Sequence, residues 1–175
     1  MTVTRAGIVT FVGAVVALLL QIIVAPNIAL FSSMPNFIVA YVLIAAILRP
    51  QNASPVLPFV LGLSFDLLAG GPLGAMSFLL VLASFCASRT FAALDNDTAF
   101  IPLAIFAVGA LAVETLYAVL IVATGTDVSM LDALVHRALP CTLFDCVIGF
   151  IMYPFLVRAF ASASQQQQPG TTRLR

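Results

Sequence analysis

The chain of 175 residues contains no tryptophan, no lysine and a single histidine, and only 8% of its residues are charged. A soluble domain normally carries about a quarter charged residues, so this sequence cannot cover its surface with groups that water solvates. Because 62% of the residues are hydrophobic, lipid must be the solvent. The composition therefore predicts an all-α, polytopic membrane protein.

Residues that commonly carry catalysis or hold a metal are also scarce. His136 stands beside Arg137 with no second histidine and no nearby nucleophile, a pattern that supports no acid–base arrangement. Cys86, Cys141 and Cys146 lie inside apolar runs without metal-ligand spacing, and we interpret them as small buried residues. The net charge is zero and there is no basic run, which argues against nucleic-acid binding. We expect no enzyme activity and no cofactor.

Six apolar segments follow one another, separated by short polar or proline- and glycine-rich turns. The first has about twenty residues, enough to cross a bilayer core of about 30 Å. The second is short, and its span is complete only if loop residues from Phe31 onward dip into the interface. We predict a six-helix transmembrane bundle over residues 1–160 and a disordered tail over residues 161–175. The predicted spans are Ala6–Ala25, Phe37–Leu48, Pro55–Ala69, Pro72–Phe91, Ala99–Ala123 and Arg137–Phe160.

The arginines predict the orientation of the bundle. Cytoplasmic loops carry an excess of basic residues, and an even number of spans with the N-terminus inside places all arginines but one on that side. The exception is Arg137, at the outer end of the last span. Both termini are therefore predicted to be cytoplasmic. The arginines on the predicted inner side are Arg5, Arg49, Arg89, Arg158, Arg173 and Arg175.

Three acidic residues, Asp66, Glu114 and Asp145, lie inside predicted spans and are flanked four residues away by small residues. Each costs at least about 2–3 kcal/mol in lipid without a partner, so each should face the bundle interior. One interpretation is an ion, proton or ligand site; the other is a set of buried acids that fix helix order, which we favour. By depth along the helices, Asp66 should pair with Arg137.

Asp66 also lies at the centre of the most distinctive stretch of the chain, LGLSFDLLAGGPLG. Gly62 and Gly70, four residues to either side, share its face of a helix. The sequence Gly70-Gly71-Pro72 should end that helix and begin the next, because proline is favoured in the first turn. The stretch therefore predicts a helix, a tight turn and a second helix.

These residues carry a resemblance to the MreD family of rod shape-determining membrane proteins. In that family the second span opens with Pro-Asn or Pro-Asp and leaves with Arg-Pro or a similar pair, and G-x-x-x-D-L-L-x-G-x-x-L-G follows. The matching positions here are Pro35, Asn36, Arg49, Pro50, Gly62, Asp66, Leu67, Leu68, Gly70, Leu73 and Gly74. The resemblance does not extend to Glu114 or Asp145.

The resemblance implies a non-catalytic scaffold of the cell-elongation complex in the bacterial inner membrane. Its implied partners are an MreC-like protein and, through it, MreB filaments, the RodA-type polymerase and its transpeptidase. The family also implies a fold shared with the substrate-binding subunits of energy-coupling-factor transporters, so the alternative function is a small-molecule binding subunit. The absence of tryptophan and the short outer loops favour the scaffold, since a ligand pocket needs aromatic and convergent polar groups.

Overall fold

The computed structural model describes residues 5–29, 33–52, 54–94, 100–125 and 129–165, and all regular secondary structure in them is helical. Two 3₁₀ turns, Ala25–Ile28 and Pro50–Asn52, follow the first and second helices. A short turn, α6 (Met130–Asp132), and a π-helical segment (Ala133–Ala138) run directly into the last helix. The six longer helices are α1 (Arg5–Ile23), α2 (Phe37–Leu48), α3 (Val56–Ala69), α4 (Ala75–Ala93), α5 (Phe100–Ala123) and α7 (Leu139–Gln165).

The shortest of these six helices, α2, is the centre of the bundle. Every residue from Phe37 to Ile47 is buried, and α2 contacts each of α1, α3, α4, α5 and α7. Around it, α3 packs on α4, α4 on α5, α5 on α7 and α7 on α1, while α1 and α3 touch only lightly. The other five helices therefore form a ring that shields α2 from lipid.

This position explains how so short a helix can belong to a membrane bundle. At 1.5 Å per residue its twelve residues span about 18 Å, well below the about 30 Å of a bilayer core. The non-helical residues before it, which we call the α2 lead-in (residues 33–36), include buried Ser33 and Asn36. Irregular backbone is tolerated at membrane depth only where protein covers it and satisfies its polar groups. The ring supplies that cover.

The six predicted helices are present in the predicted order. Four helical stretches are long and apolar enough to cross a membrane, namely α1, α4, α5 and the continuous run Met130–Ala163, whereas α2 and α3 are shorter apolar helices. Asn36 immediately precedes α2, at the predicted opening of the second span, and it caps the helix, because its side-chain oxygen accepts a hydrogen bond from the N–H of Val39 at 3.1 Å.

The start of the fourth helix differs from the prediction. Pro72 does not begin it; α4 begins at Ala75. Gly70 and Gly74 adopt left-handed backbone conformations, with φ of 64° and 88°, so the chain turns at both residues before a helix can start. The two glycines that shape this turn are therefore Gly70 and Gly74, and Gly71 has another role.

The last helix is longer than predicted. Neither Pro140 nor Pro154 ends it, and α7 continues to Gln165, so residues 161–165 of the predicted tail are helical. The remaining tail, residues 166–175, lies outside the described residues, as does most of the polar turn predicted between α4 and α5.

Candidate functional site

The first of two polar clusters lies where α3 turns into α4. Gly74, the residue before α4, has no side chain with which to cap the helix. Asp66 of α3 takes that role, since its carboxylate accepts hydrogen bonds from the N–H groups of Gly74 (2.9 Å), Met76 (3.0 Å) and Ser77 (3.4 Å) and from the Ser77 hydroxyl (3.4 Å). A carboxylate at a helix N-terminus also interacts favourably with the helix dipole. We call this cluster the α4 cap.

Close contact between α3 and α4 makes the α4 cap possible. A Cβ atom on Gly62 would lie 2.5 Å from the Cα atom of Ser77 and 2.7 Å from its backbone nitrogen. Only glycine allows this approach, which brings the buried Asp66 to the N-terminus of α4. Gly71 serves a different contact, because a Cβ there would overlap the hydroxyl of Tyr117 on α5.

The second cluster surrounds the α2 lead-in and is built from four helices. The backbone N–H of Asn36 donates to Asp145 Oδ1 of α7 at 2.6 Å, and its side-chain Nδ2 donates to Glu114 Oε1 of α5 at 3.3 Å. From α1, Gln21 accepts a hydrogen bond from the N–H of Phe37 at 2.8 Å and donates to the carbonyl of Pro35 at 3.3 Å. We call these residues the α2 cap.

The acids of the α2 cap are incompletely satisfied. Asp145 is fully buried and Glu114 is 5% exposed, as predicted for acids that face the interior. Yet among the described residues Asp145 Oδ2 is buried with no hydrogen-bond partner, and Glu114 accepts a single hydrogen bond there, from Asn36. Orphan polar atoms of this kind are rare in folded proteins and call for an explanation.

A cavity of about 490 Å³ adjoins the α2 cap. This volume lies within the range of small-molecule sites, and such sites combine apolar walls with a few convergent polar groups. Its polar wall includes Gln21, Asn36, Glu114, Tyr117 and Arg137; its apolar wall includes Ile22, Met34, Phe65 and Leu68. The hydroxyl of Tyr117 has no hydrogen-bond partner among the described residues.

The predicted pair between Asp66 and Arg137 is wrong. Among the described residues no salt bridge joins Asp66 to Arg137, and both oxygens of the buried Asp66 accept hydrogen bonds from the start of α4. Arg137 is exposed and its guanidinium lies 5.8 Å from the ring centre of Tyr117, at the cavity. Backbone N–H groups, rather than a cation, thus compensate the charge of Asp66.

At the other end of α2, the Arg49-Pro50 pair fixes α1 to the centre of the bundle. Arg49 donates to the carbonyl of Ala6 at 3.2 Å and to the hydroxyl of Thr10 at 2.8 Å. Its guanidinium also lies 5.6 Å from the ring centre of Phe160, while Pro50 begins the 3₁₀ turn that follows α2. These two predicted motif residues therefore lie apart from both caps and the cavity.

The sequence pattern predicts that Gly62, Asp66 and Gly70 share one helix face near the α4 cap. It does not identify Gln21 or Tyr117 as residues of the α2 cap or its cavity. Gln21 was visible as a polar residue in an otherwise apolar helix, a signal that could have marked it as a partner for buried backbone. Tyr117 lies three residues after Glu114 and thus on the same helix face. No local pattern in the sequence indicated that this face lines a cavity.

Comparison with known proteins adds one positive finding. A family model described as MreD, rod shape-determining protein MreD, matches residues 3–162. No curated protein and no solved structure matches the chain significantly. The implied likeness to substrate-binding subunits of energy-coupling-factor transporters therefore stays a prediction.

Proposed function

The chain belongs to the MreD family of rod shape-determining membrane proteins, and from this premise we propose that it is a non-catalytic scaffold of the bacterial cell-elongation complex. The family match over residues 3–162 carries the proposal. In this role the protein resides in the inner membrane and holds its partners together during lateral peptidoglycan synthesis.

We infer that the direct partner is an MreC-like membrane protein, which connects the bundle to MreB filaments, a RodA-type polymerase and its transpeptidase. A scaffold needs an apolar flank on which another span can dock. Leu67 and Leu73, two positions of the family motif, are 68% and 72% exposed. They add little to the protein's own core, which leaves them available to lipid or to a partner span.

Depletion of the protein in its bacterial host tests the proposed function. Cells should become round or wide, and affinity capture from native membranes should recover an MreC-like protein. A depleted strain that keeps its rod shape, together with capture that lacks any such partner, would contradict the scaffold function.

A small-molecule binding subunit of a transporter is the second candidate function, and the cavity of about 490 Å³ beside the α2 cap favours it. The scaffold is preferred because the family match concerns shape determination. The two functions separate in the depletion experiment, since loss of vitamin uptake with unchanged cell shape would favour the binding subunit.

The proposed orientation places both chain termini in the cytoplasm and all six long helices across the membrane. Asn96 and Asp127 lie outside the described residues, in the links before and after α5. After replacement of the native cysteines, a cysteine at position 96 should resist a membrane-impermeant thiol reagent in intact cells, and one at position 127 should react. The reverse labelling would overturn the orientation.

A further inference from the structure

We propose that the cavity beside the α2 cap binds a zwitterionic amphiphile, whose ammonium group pairs with Glu114 and whose phosphate pairs with Arg137. The chemical class is that of an aminophospholipid. This inference does not depend on the scaffold function, because it is drawn from the geometry of the cavity alone.

The acidic side of the site supplies the preference for a cation. Glu114 lines the cavity. Its carboxyl group and that of Asp145 both accept hydrogen bonds from Asn36, and one oxygen of Asp145 has no partner in the part of the chain that the structure describes. Burying two carboxylates beside Asn36 lowers the stability of the fold unless a positive charge or a proton compensates them. An ammonium group in the cavity would donate hydrogen bonds to Glu114 and compensate the negative charge of the pair.

The basic side of the site supplies the preference for an anion. Arg137 lines the same cavity, is exposed, and forms no salt bridge within the described part of the chain. Its guanidinium is oriented by the ring of Tyr117 and can bind two phosphate oxygens at once. A ligand that carries both charges therefore matches the cavity better than either a simple cation or a simple anion.

The rim of the cavity favours a ligand with hydrocarbon chains. Ile22 at the end of α1 and Leu68 at the end of α3 both line the cavity and are 46% and 53% exposed. Since α1 and α3 touch only lightly, the ring of helices is weakest between them. Acyl chains can lie along these apolar residues while the headgroup enters between the helices. A free phosphoethanolamine shares the headgroup chemistry but not this contact.

The absence of tryptophan from the chain permits a direct binding test. Leu68→Trp places a single fluorophore at the rim, and Phe11→Trp, on a lipid-facing side chain of α1 that is 70% exposed, reports ordinary lipid contact. The full-length variants are reconstituted in bilayers with brominated phosphatidylethanolamine or brominated phosphatidylglycerol, which quench tryptophan on contact. At Leu68→Trp, the mole fraction that gives half-maximal quenching should be about tenfold lower for the aminophospholipid than for the anionic lipid. This ratio corresponds to a difference of about 1.4 kcal/mol in binding free energy. At Phe11→Trp the two lipids should quench alike.

Second-site variants in the Leu68→Trp background test the two charges. Arg137→Gln should raise the mole fraction of aminophospholipid needed for half-maximal quenching, because the phosphate loses its cationic partner. Glu114→Gln should abolish the lipid preference, because only the aminophospholipid carries the ammonium group that pairs with Glu114. Arg89→Gln removes an exposed arginine that lies over Phe85 at another cavity and should preserve the lipid preference. Because Arg137 is exposed, Arg137→Gln should leave the fold intact. It can therefore test the proposal even where Glu114→Gln lowers stability.

Soluble phosphoethanolamine distinguishes the two sources of the headgroup. Competition that relieves the selective quenching would show that the headgroup alone suffices, whereas selective quenching without competition would assign the site to the lipid. Three results would overturn the proposal. They are equal quenching by both lipids at Leu68→Trp, a lipid preference that survives Glu114→Gln, and half-maximal quenching by the aminophospholipid that Arg137→Gln leaves unchanged.

Discussion

The α2 cap and the α4 cap differ in how completely their carboxylate oxygens are hydrogen-bonded. Each places polar side chains of neighbouring helices against the start of a helix inside the bundle. At the α4 cap both oxygens of Asp66 are used, in four hydrogen bonds. At the α2 cap the hydrogen bonds from Asn36 and Phe37 are accepted by three side chains, those of Gln21, Glu114 and Asp145, and one oxygen of Asp145 has no partner in the described structure.

This difference separates a closed cluster from an open one. The α4 cap is sealed by the contact between Gly62 and Ser77, which leaves no room for a ligand. The α2 cap borders a cavity that also contains a cationic side chain, Arg137. Buried acids in membrane helices are therefore not equivalent; the one with complete hydrogen bonding stabilises the fold, and those with spare acceptors are the candidates for binding.

The largest effect is expected from Asp66→Ala. The substitution leaves several N–H groups at the start of α4 without acceptors. A hydrogen bond to a charged group contributes about 1.5–3 kcal/mol to stability. We expect a loss of about 3 kcal/mol in stability, measured as a lower midpoint of thermal unfolding in detergent. An unchanged midpoint would show that water or relaxation replaces the carboxylate and that the α4 cap is not a stabilising unit.

Gly62→Ala should have the next largest effect. The new methyl group would overlap the backbone of Ser77, so α3 and α4 must separate, at a cost of about 2 kcal/mol. Gly70→Ala is the matched control, because its Cβ meets nothing within 4 Å and the cost of about 1 kcal/mol comes only from its left-handed backbone. Equal unfolding midpoints for the two variants would argue against the close helix contact.

Asn36→Ala should lower stability by about 1 kcal/mol, since it removes the side-chain cap of α2. It also removes the donor to Glu114. Asn36→Ser preserves an oxygen for the N–H of Val39 but cannot reproduce the amide donor, so the thermal midpoint of this variant should lie between those of Asn36→Ala and the natural chain. A midpoint for Asn36→Ser at or below that of Asn36→Ala would contradict the capping role.

The smallest effect is expected from Asp145→Asn, and it contrasts directly with Asp66→Asn. An asparagine at position 145 retains an oxygen for the N–H of Asn36 and replaces the unpartnered oxygen by an amide group. We expect a change below about 1 kcal/mol. At position 66 the amide would face backbone donors and cost more. Equal thermal shifts for the two variants would remove the distinction between the caps.

The sequence by itself determined the six longer helices and their order, but not the start of α4 or the end of α7. The apolar run from Phe37 to Leu48 lies between Asn36 and Arg49-Pro50, and the structure has α2 at these bounds. The glycines around Asp66 likewise predicted the turn between α3 and α4, because cap and turn conformations depend on neighbouring residues in the chain. The burial of all three acids followed from the cost of a charge in lipid.

Tertiary structure alone decided which helix lies at the centre and what each acid contacts. In a bilayer, lipid-facing and buried helices have similar hydropathy, so no amphipathic pattern marked α2 as the core. The partner of Asp66 was a set of backbone N–H groups, which every residue except proline carries and which no sequence pattern distinguishes. The cavity depends on the spacing between α1 and α3 around the α2 lead-in, and that spacing is a property of five packed helices rather than of any one segment.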